Sequence, residues 1–164
     1  MSTTSTPHSP TTLISTFLSL TESHIIPLTR SRVSEGCKLF GAAILSRATL
    51  APITIESNNE RLSPLLHGEI NCIQAFFASP KEGRPATKDC IFFATHEPCS
   101  LCLSGITWSG FNEFYYLFTY EDSRDLFDIP CKFRFKPVHS LQPLSFLPPM
   151  LSLSLSLRVC VCVL

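Results

Sequence analysis

One stretch constrains this chain more than any other: His67-Gly68-Glu69 opens it and Glu97-Pro98-Cys99-Ser100-Leu101-Cys102 closes it. A catalytic zinc ion takes three protein ligands, nitrogen and sulfur among them, and keeps its fourth position for water. His67, Cys99 and Cys102 supply that set. If Cys99 starts a helix, Cys102 lies one turn on along the same face, so both sulfurs reach one ion. A helix N-terminus lowers a thiol's pKa, and zinc completes the deprotonation. Glu69 has the role left over. Two positions from the histidine, its carboxylate stands beside the water as an acid/base and is not a ligand. Taken alone, Cys99 and Cys102 would read as a redox pair or half of a four-thiolate structural zinc site, but neither reading uses His67 or Glu69. No second C-x-x-C exists to complete four thiolates.

The pattern His67-Gly68-Glu69 followed by Pro98-Cys99-x-x-Cys102 resembles the signature of the zinc-dependent cytidine and deoxycytidylate deaminase superfamily. The similar region runs from Thr21 to Asp128, and Phe40–Leu45 resembles the first strand of these enzymes. Asn58 or Asn59 stands where many members have a base-binding asparagine. Glu97 directly before Pro98-Cys99 is similar to the tRNA adenosine and guanine deaminase branch, while Gly68 replaces the more usual alanine. The resemblance implies a three-layer α/β/α fold with a mixed, largely parallel central sheet. It implies Zn2+ on His67, Cys99 and Cys102, Glu69 as proton shuttle, and substrate contacts from Asn58, Asn59 and the Gly68 amide. The implied reaction is hydrolytic deamination: zinc-activated water attacks the amine-bearing ring carbon of a nucleobase, nucleoside or nucleotide, and ammonia leaves. Homo-oligomers are common in the superfamily. Which base is taken is left open.

Composition narrows the partners. Thirteen basic residues balance 13 acidic ones, and only 16% of the chain is charged. A polynucleotide-binding domain ordinarily carries a basic stripe, so a small substrate is favoured over RNA. The chain has 8 cysteines, but apart from Cys99 and Cys102 they lie singly or in the tail, unlike a disulfide scaffold. No basic n-region precedes Leu13–Leu20, since the first Lys or Arg is Arg30. A reducing cytoplasmic or nuclear location, with no membrane span, is the expectation.

Along the chain, residues 1–12 are Ser/Thr/Pro-rich and read as a disordered lead-in, and 13–130 as the deaminase-like domain. A first helix is expected within Thr12–Ser34, interrupted near Pro27. Lys38–Leu45 and Ala51–Ile55 read as adjacent strands, Gly68–Ala78 as a helix with His67 at its mouth, and Asp89–Ala94 as a core strand. Ser100–Trp108 reads as a helix stopped by Gly110, Glu113–Tyr120 as a strand, and Asp125–Ile129 as the start of another helix or loop. The strand–helix–strand spacing implies parallel pairing. Trp108, Phe111, Phe114 and Tyr116 read as core rather than as base-stacking residues.

Residues 131–164 form a low-complexity tail that departs from any family pattern. Leu151–Leu157 alternates Leu and Ser, as a CTCTCT run encodes, and Val159–Val163 alternates Val and Cys, as GTGTGT encodes. Cys131-Lys132-Phe133 is compatible with a donor splice sequence. The expectation is intron read-through from Cys131 in place of the final helix and strand elements. Phe146–Leu164 as a membrane anchor is disfavoured by Pro148-Pro149, the serines and Arg158. The tail motivates an alternative: a truncated or non-catalytic deaminase-fold protein that binds zinc or a partner without turnover.

Overall fold

The computed structural model describes residues 7–129 and the pair Cys162–Val163. Helix α1, Pro10–Leu20, starts inside the segment that reads as lead-in. The Ser9 hydroxyl accepts from the Thr12 N–H at 3.1 Å, and Pro10 occupies the first turn, where a missing N–H has no intrahelical partner to lose. The expected interruption near Pro27 is a widening rather than a break. A π-helical turn, Thr21–Ile25, joins α1 to α2, Ile26–Ser34, and the Ile26 N–H reaches back five residues to the Thr21 carbonyl. Pro27 has no N–H to continue the normal ladder, and its ring crowds the preceding turn.

β1, Gly41–Ser46, and β2, Pro52–Ser57, form an antiparallel hairpin. α3, Gly68–Ala78, follows the second strand, then β3, Cys90–His96; α4, Ser100–Trp108; β4, Glu113–Phe118; α5, Tyr120–Phe127; and β5, Cys162–Val163. The sheet order is β2-β1-β3-β4-β5. It is mixed, as expected, but the expectation of a largely parallel sheet needs correction. β3–β4 is parallel, whereas β1–β2, β1–β3 and β4–β5 are antiparallel. The hairpin sets this pattern. β2 and β3 flank β1 and both run against it, and the α4 crossover is what makes adjacent strands parallel.

Helices cover both faces, which gives the three layers. On one face Leu13, Phe17, Leu20 and Ile25 pack on Ala43, Leu45, Ile91, Phe93, Tyr115 and Leu117. The rings of Phe17 and Phe93 lie parallel with centroids 4.5 Å apart. On the other, Cys72, Ile73 and Phe76 of α3 and Ile106 of α4 pack on Ala42, Ile44, Phe92, Ala94, Phe114 and Tyr116. Alternation along β3 sends successive residues to opposite cores, and both faces of that strand are buried. Phe111, Phe114 and Tyr116 are core, as expected. Trp108 is not: it is 94% exposed, because it ends α4 on the side turned away from the sheet.

At the sheet end where β3 and β4 begin, the Arg47 guanidinium meets the buried Glu113 carboxylate, which also accepts from the Tyr115 hydroxyl. The opposite end, where β3 and β4 finish and β1 begins, carries the motif residues His67 and Cys99. The replacement of terminal elements by the tail and the anchor reading of Phe146–Leu164 lie outside the described residues, apart from Cys162–Val163. Among the described residues, no helix is long and apolar enough to cross a membrane.

Candidate metal centre

His67 is the N-cap of α3 and Cys99 the N-cap of α4, so both sit where a loop hands over to a helix. Cys102 lies one turn into α4 and is fully buried. The three side chains converge. Cys99 Sγ and Cys102 Sγ each lie 3.5 Å from His67 Nδ1, and the two sulfurs are 3.6 Å apart. Tetrahedral zinc with ordinary bond lengths requires N–S edges of about 3.6 Å and an S–S edge of about 3.8 Å. The donor set and its spacing therefore fit zinc, and this is the cluster of candidate metal ligands among the described residues.

The electrostatics suit a cation. The neighbouring Cys102 thiol holds the Cys99 thiol well below its ordinary range, against the opposing effect of burial, and His67 adds to the lowering. Cys102 is pushed up by Cys99 and by burial. The contact with Cys99 raises the His67 imidazole. Glu69, in the first turn of α3, is 6% exposed. Burial pushes its carboxyl up to about 7, against its own backbone N–H and the Cys102 thiol, which stabilise the charged form. A carboxyl raised in this way beside the candidate metal ligands has the chemistry of an acid/base.

Several contacts fix the two loops. Glu97 N–H donates to the Phe118 carbonyl at 2.7 Å, Tyr120 N–H to Glu97 Oε2 at 2.9 Å, and the Tyr120 hydroxyl to the Pro98 carbonyl at 2.6 Å. The start of α5 thus clamps the turn that carries Cys99. Thr95 Oγ1 accepts from Gly41 N–H and donates to the Gly41 carbonyl, tying the end of β3 to the start of β1. These partners are remote in sequence from the motif. A signal exists only for α5, whose Thr119–Asp122 capping box is visible in the sequence.

Of the residues expected to contact substrate, Asn58 is fully buried; its Oδ1 accepts from the Gly68 N–H at 2.9 Å, and its Nδ2 donates to Glu60 Oε1 at 2.6 Å. Both ends of the amide, and the Gly68 N–H with them, are engaged within the protein. Asn59 organises the loop through its backbone, with its N–H on the Leu66 carbonyl at 2.8 Å. Gly68 is there for space. A Cβ on it would lie 2.8 Å from the Phe40 carbonyl oxygen and 3.2 Å from Gly41 Cα, so the alanine more usual in the resemblance does not fit this backbone.

Residues 25–118 match the family described as cytidine and deoxycytidylate deaminase zinc-binding region. Among solved structures, a tRNA:A34 deaminase that performs A-to-I editing at the wobble position is similar at TM-score 0.52 and 21% identity, covering 65% of this chain and 78% of that one. The guanine deaminase from Bacillus subtilis is similar at TM-score 0.51 and 25% identity, covering 75% and 86%. A guanine deaminase from Nitrosomonas europaea gives TM-score 0.52 at 18% identity, covering 76% and 75%. No curated protein matches the sequence.

Proposed function

The chain belongs to the cytidine and deoxycytidylate deaminase family, and from that premise we propose that it is a zinc-dependent hydrolase releasing ammonia from a nucleobase, nucleoside or nucleotide. The observation that carries the reading is the His67–Cys99–Cys102 triangle at zinc dimensions with the buried Glu69 beside it. Purines come first as substrates, because the similar structure with the highest identity quoted above is a guanine deaminase.

His67 Nδ1, Cys99 Sγ and Cys102 Sγ would hold the zinc. When bound, zinc supplies a Lewis acid that makes a water molecule acidic enough to attack at neutral pH. Two thiolates and one neutral imidazole offset the charge of the ion, so Glu69 is the group that handles protons. Its carboxylate takes the proton lost by the attacking water and delivers it to the departing amine, which leaves as ammonia while the ring keeps the oxygen. Burial, which disfavours the charged carboxylate, suits Glu69 to hold the proton between the two halves of that transfer. Asn58 and Gly68 contribute by setting the position of the α3 mouth, which carries His67 and Glu69. Asn59 lies on the same loop and is the candidate for a direct contact with the base.

The test is ammonia release by purified, zinc-quantified protein. The panel is guanine, adenine, guanosine, adenosine, cytosine, cytidine, CMP and dCMP. Release from one class with about one zinc per chain is the expected result. Silence across the panel with zinc bound would overturn the catalytic reading.

A further inference from the structure

We propose that Glu60 is a positioning residue for the candidate site: it fixes the orientation of the Asn58 amide, and through it the Gly68 N–H that anchors the mouth of α3. The proposal rests on the deaminase reading only for its effect on turnover; its structural part stands on the contacts alone.

Asn58 sits where three elements meet. Its N–H donates to the Phe40 carbonyl at 3.2 Å, just ahead of β1, and its side-chain oxygen receives the Gly68 N–H at 2.9 Å. Its side-chain nitrogen donates to Glu60 Oε1 at 2.6 Å. The direction of this chain is dictated by its ends. A backbone N–H can only donate and an ionised carboxylate can only accept, so a side-chain amide between them has one usable orientation. Burial favours protonated Glu60, but the Asn58 amide and the Lys38 N–H outweigh it and keep the carboxyl below its ordinary range. Glu60 Oε2 accepts from that Lys38 N–H at 3.2 Å, and the Lys38 ammonium lies 3.8 Å from Oε1.

The series Lys38–Glu60–Asn58–Gly68 thus runs from an exposed lysine to the residue between His67 and Glu69. Helix termini leave their first N–H groups without intrahelical partners, and the Asn58 oxygen fills that place for Gly68. If the amide turns over, its NH2 faces the Gly68 N–H, and the helix mouth loses its anchor. The ring of His67 and the carboxylate of Glu69 then lose their fixed starting point. Residues that orient metal ligands in this way typically change metal affinity or activity about 10- to 100-fold when altered.

Exchanging the two partners tests the idea. Asn58→Asp keeps an acceptor for Gly68 but sets two carboxylates against each other. Adding Glu60→Gln reverses the middle bond: the amide introduced at position 60 donates to the carboxylate introduced at position 58 and leaves the Gly68 N–H bond in place. The full-length zinc-loaded protein is compared as wild type, N58D and N58D/E60Q. The readouts are hydrogen exchange of the Gly68 amide, zinc release to a colorimetric chelator and kcat per bound zinc. For N58D the expectation is faster Gly68 exchange and zinc release increased by about 10-fold or more, with recovery to within about 3-fold of wild type in the double variant. If N58D does not fold, recovery of a folded, zinc-retaining double variant supports the proposal equally, and a double variant that also fails to fold overturns it. Unchanged exchange and zinc release in N58D, or a double variant no better than N58D, overturns the proposal as well. Exchange and zinc release are read without turnover, so a wild type that releases no ammonia refutes the deaminase reading and leaves this one judged on its own.

Discussion

Gly68→Ala adds one methyl group where the start of α3 meets the start of β1. The new Cβ would stand 2.8 Å from the Phe40 carbonyl oxygen and 3.2 Å from both Phe40 C and Gly41 Cα. Ordinary carbon contacts begin at about 3.5 Å, and all three neighbours are backbone, so no side chain can swing aside. Relief requires α3 to move by several tenths of an ångström, which strains the Asn58–Gly68 bond and shifts Cys72, Ile73 and Phe76 of α3 in the core they share with the sheet. Overpacking of this kind costs about 1–3 kcal/mol. Replacing glycine in a helix recovers up to about 1 kcal/mol, and less at a first-turn position. The net expectation is a loss of about 1–2 kcal/mol, or a fall of several degrees in Tm for a domain of this size. Urea and thermal melts of the two zinc-loaded proteins measure it. A Gly68→Ala protein as stable as the parent, or more so, would refute the argument that space dictates glycine here.

Glu69→Gln keeps the shape of the side chain and removes its proton chemistry; kcat is expected to fall about 10²- to 10⁴-fold with zinc content unchanged, by metal analysis beside steady-state kinetics. His96 is buried at 6% exposure, with its Nδ1 on Thr95 and its ring among Phe40, Phe118 and Phe127, and burial pulls its pKa down to about 4. Above the unfolded value of about 6.5 neither state is protonated; below it the unfolded chain binds a proton that the folded one refuses. Stability is therefore lost as pH falls from about 6.5 to about 4, by about 1.4 kcal/mol per unit and about 3 kcal/mol in all, and a His96→Leu protein should show a flatter pH dependence of unfolding in that window. Arg47→Met leaves the Glu113 carboxylate buried without its cation and is expected to cost about 3–5 kcal/mol by chemical denaturation, with recovery when Glu113 is also replaced by Gln.

The motif and the helices around it are legible in the sequence because each rests on local chemistry. Ser100–Trp108 ends as read, since Gly110 takes a φ of +83° that other residues rarely adopt. Gly68–Ala78 also keeps its expected bounds, between His67 and Ser79-Pro80. α5 reads from sequence only as the last residue of a strand, Tyr120, and the start of another helix or loop at Asp125, because its apolar positions are few; its start is fixed instead by the Thr119–Asp122 capping box. Periodicity places the start of α1 too late for a similar reason, the Ser9-Pro10 cap lying in a polar segment. What stays hidden are relations between distant residues. Nothing local says that Asn58 is buried with both ends of its amide engaged, that Gly68 touches the Phe40 carbonyl, or that Arg47 and Glu113 meet across 66 positions. The same holds for the sheet. Alternation identifies the strands, but the antiparallel placement of β1 between β2 and β3 is set by the hairpin and the α3 crossover together.

A three-ligand zinc site whose metal is required for deamination is tested most directly by titrating zinc into chelator-stripped protein. Ammonia release is followed on the most active compound of the panel. Activity is expected to rise linearly with zinc and to level off at about one ion per chain. Ammonia release from the metal-free protein, or none at full zinc loading, would contradict that site's role.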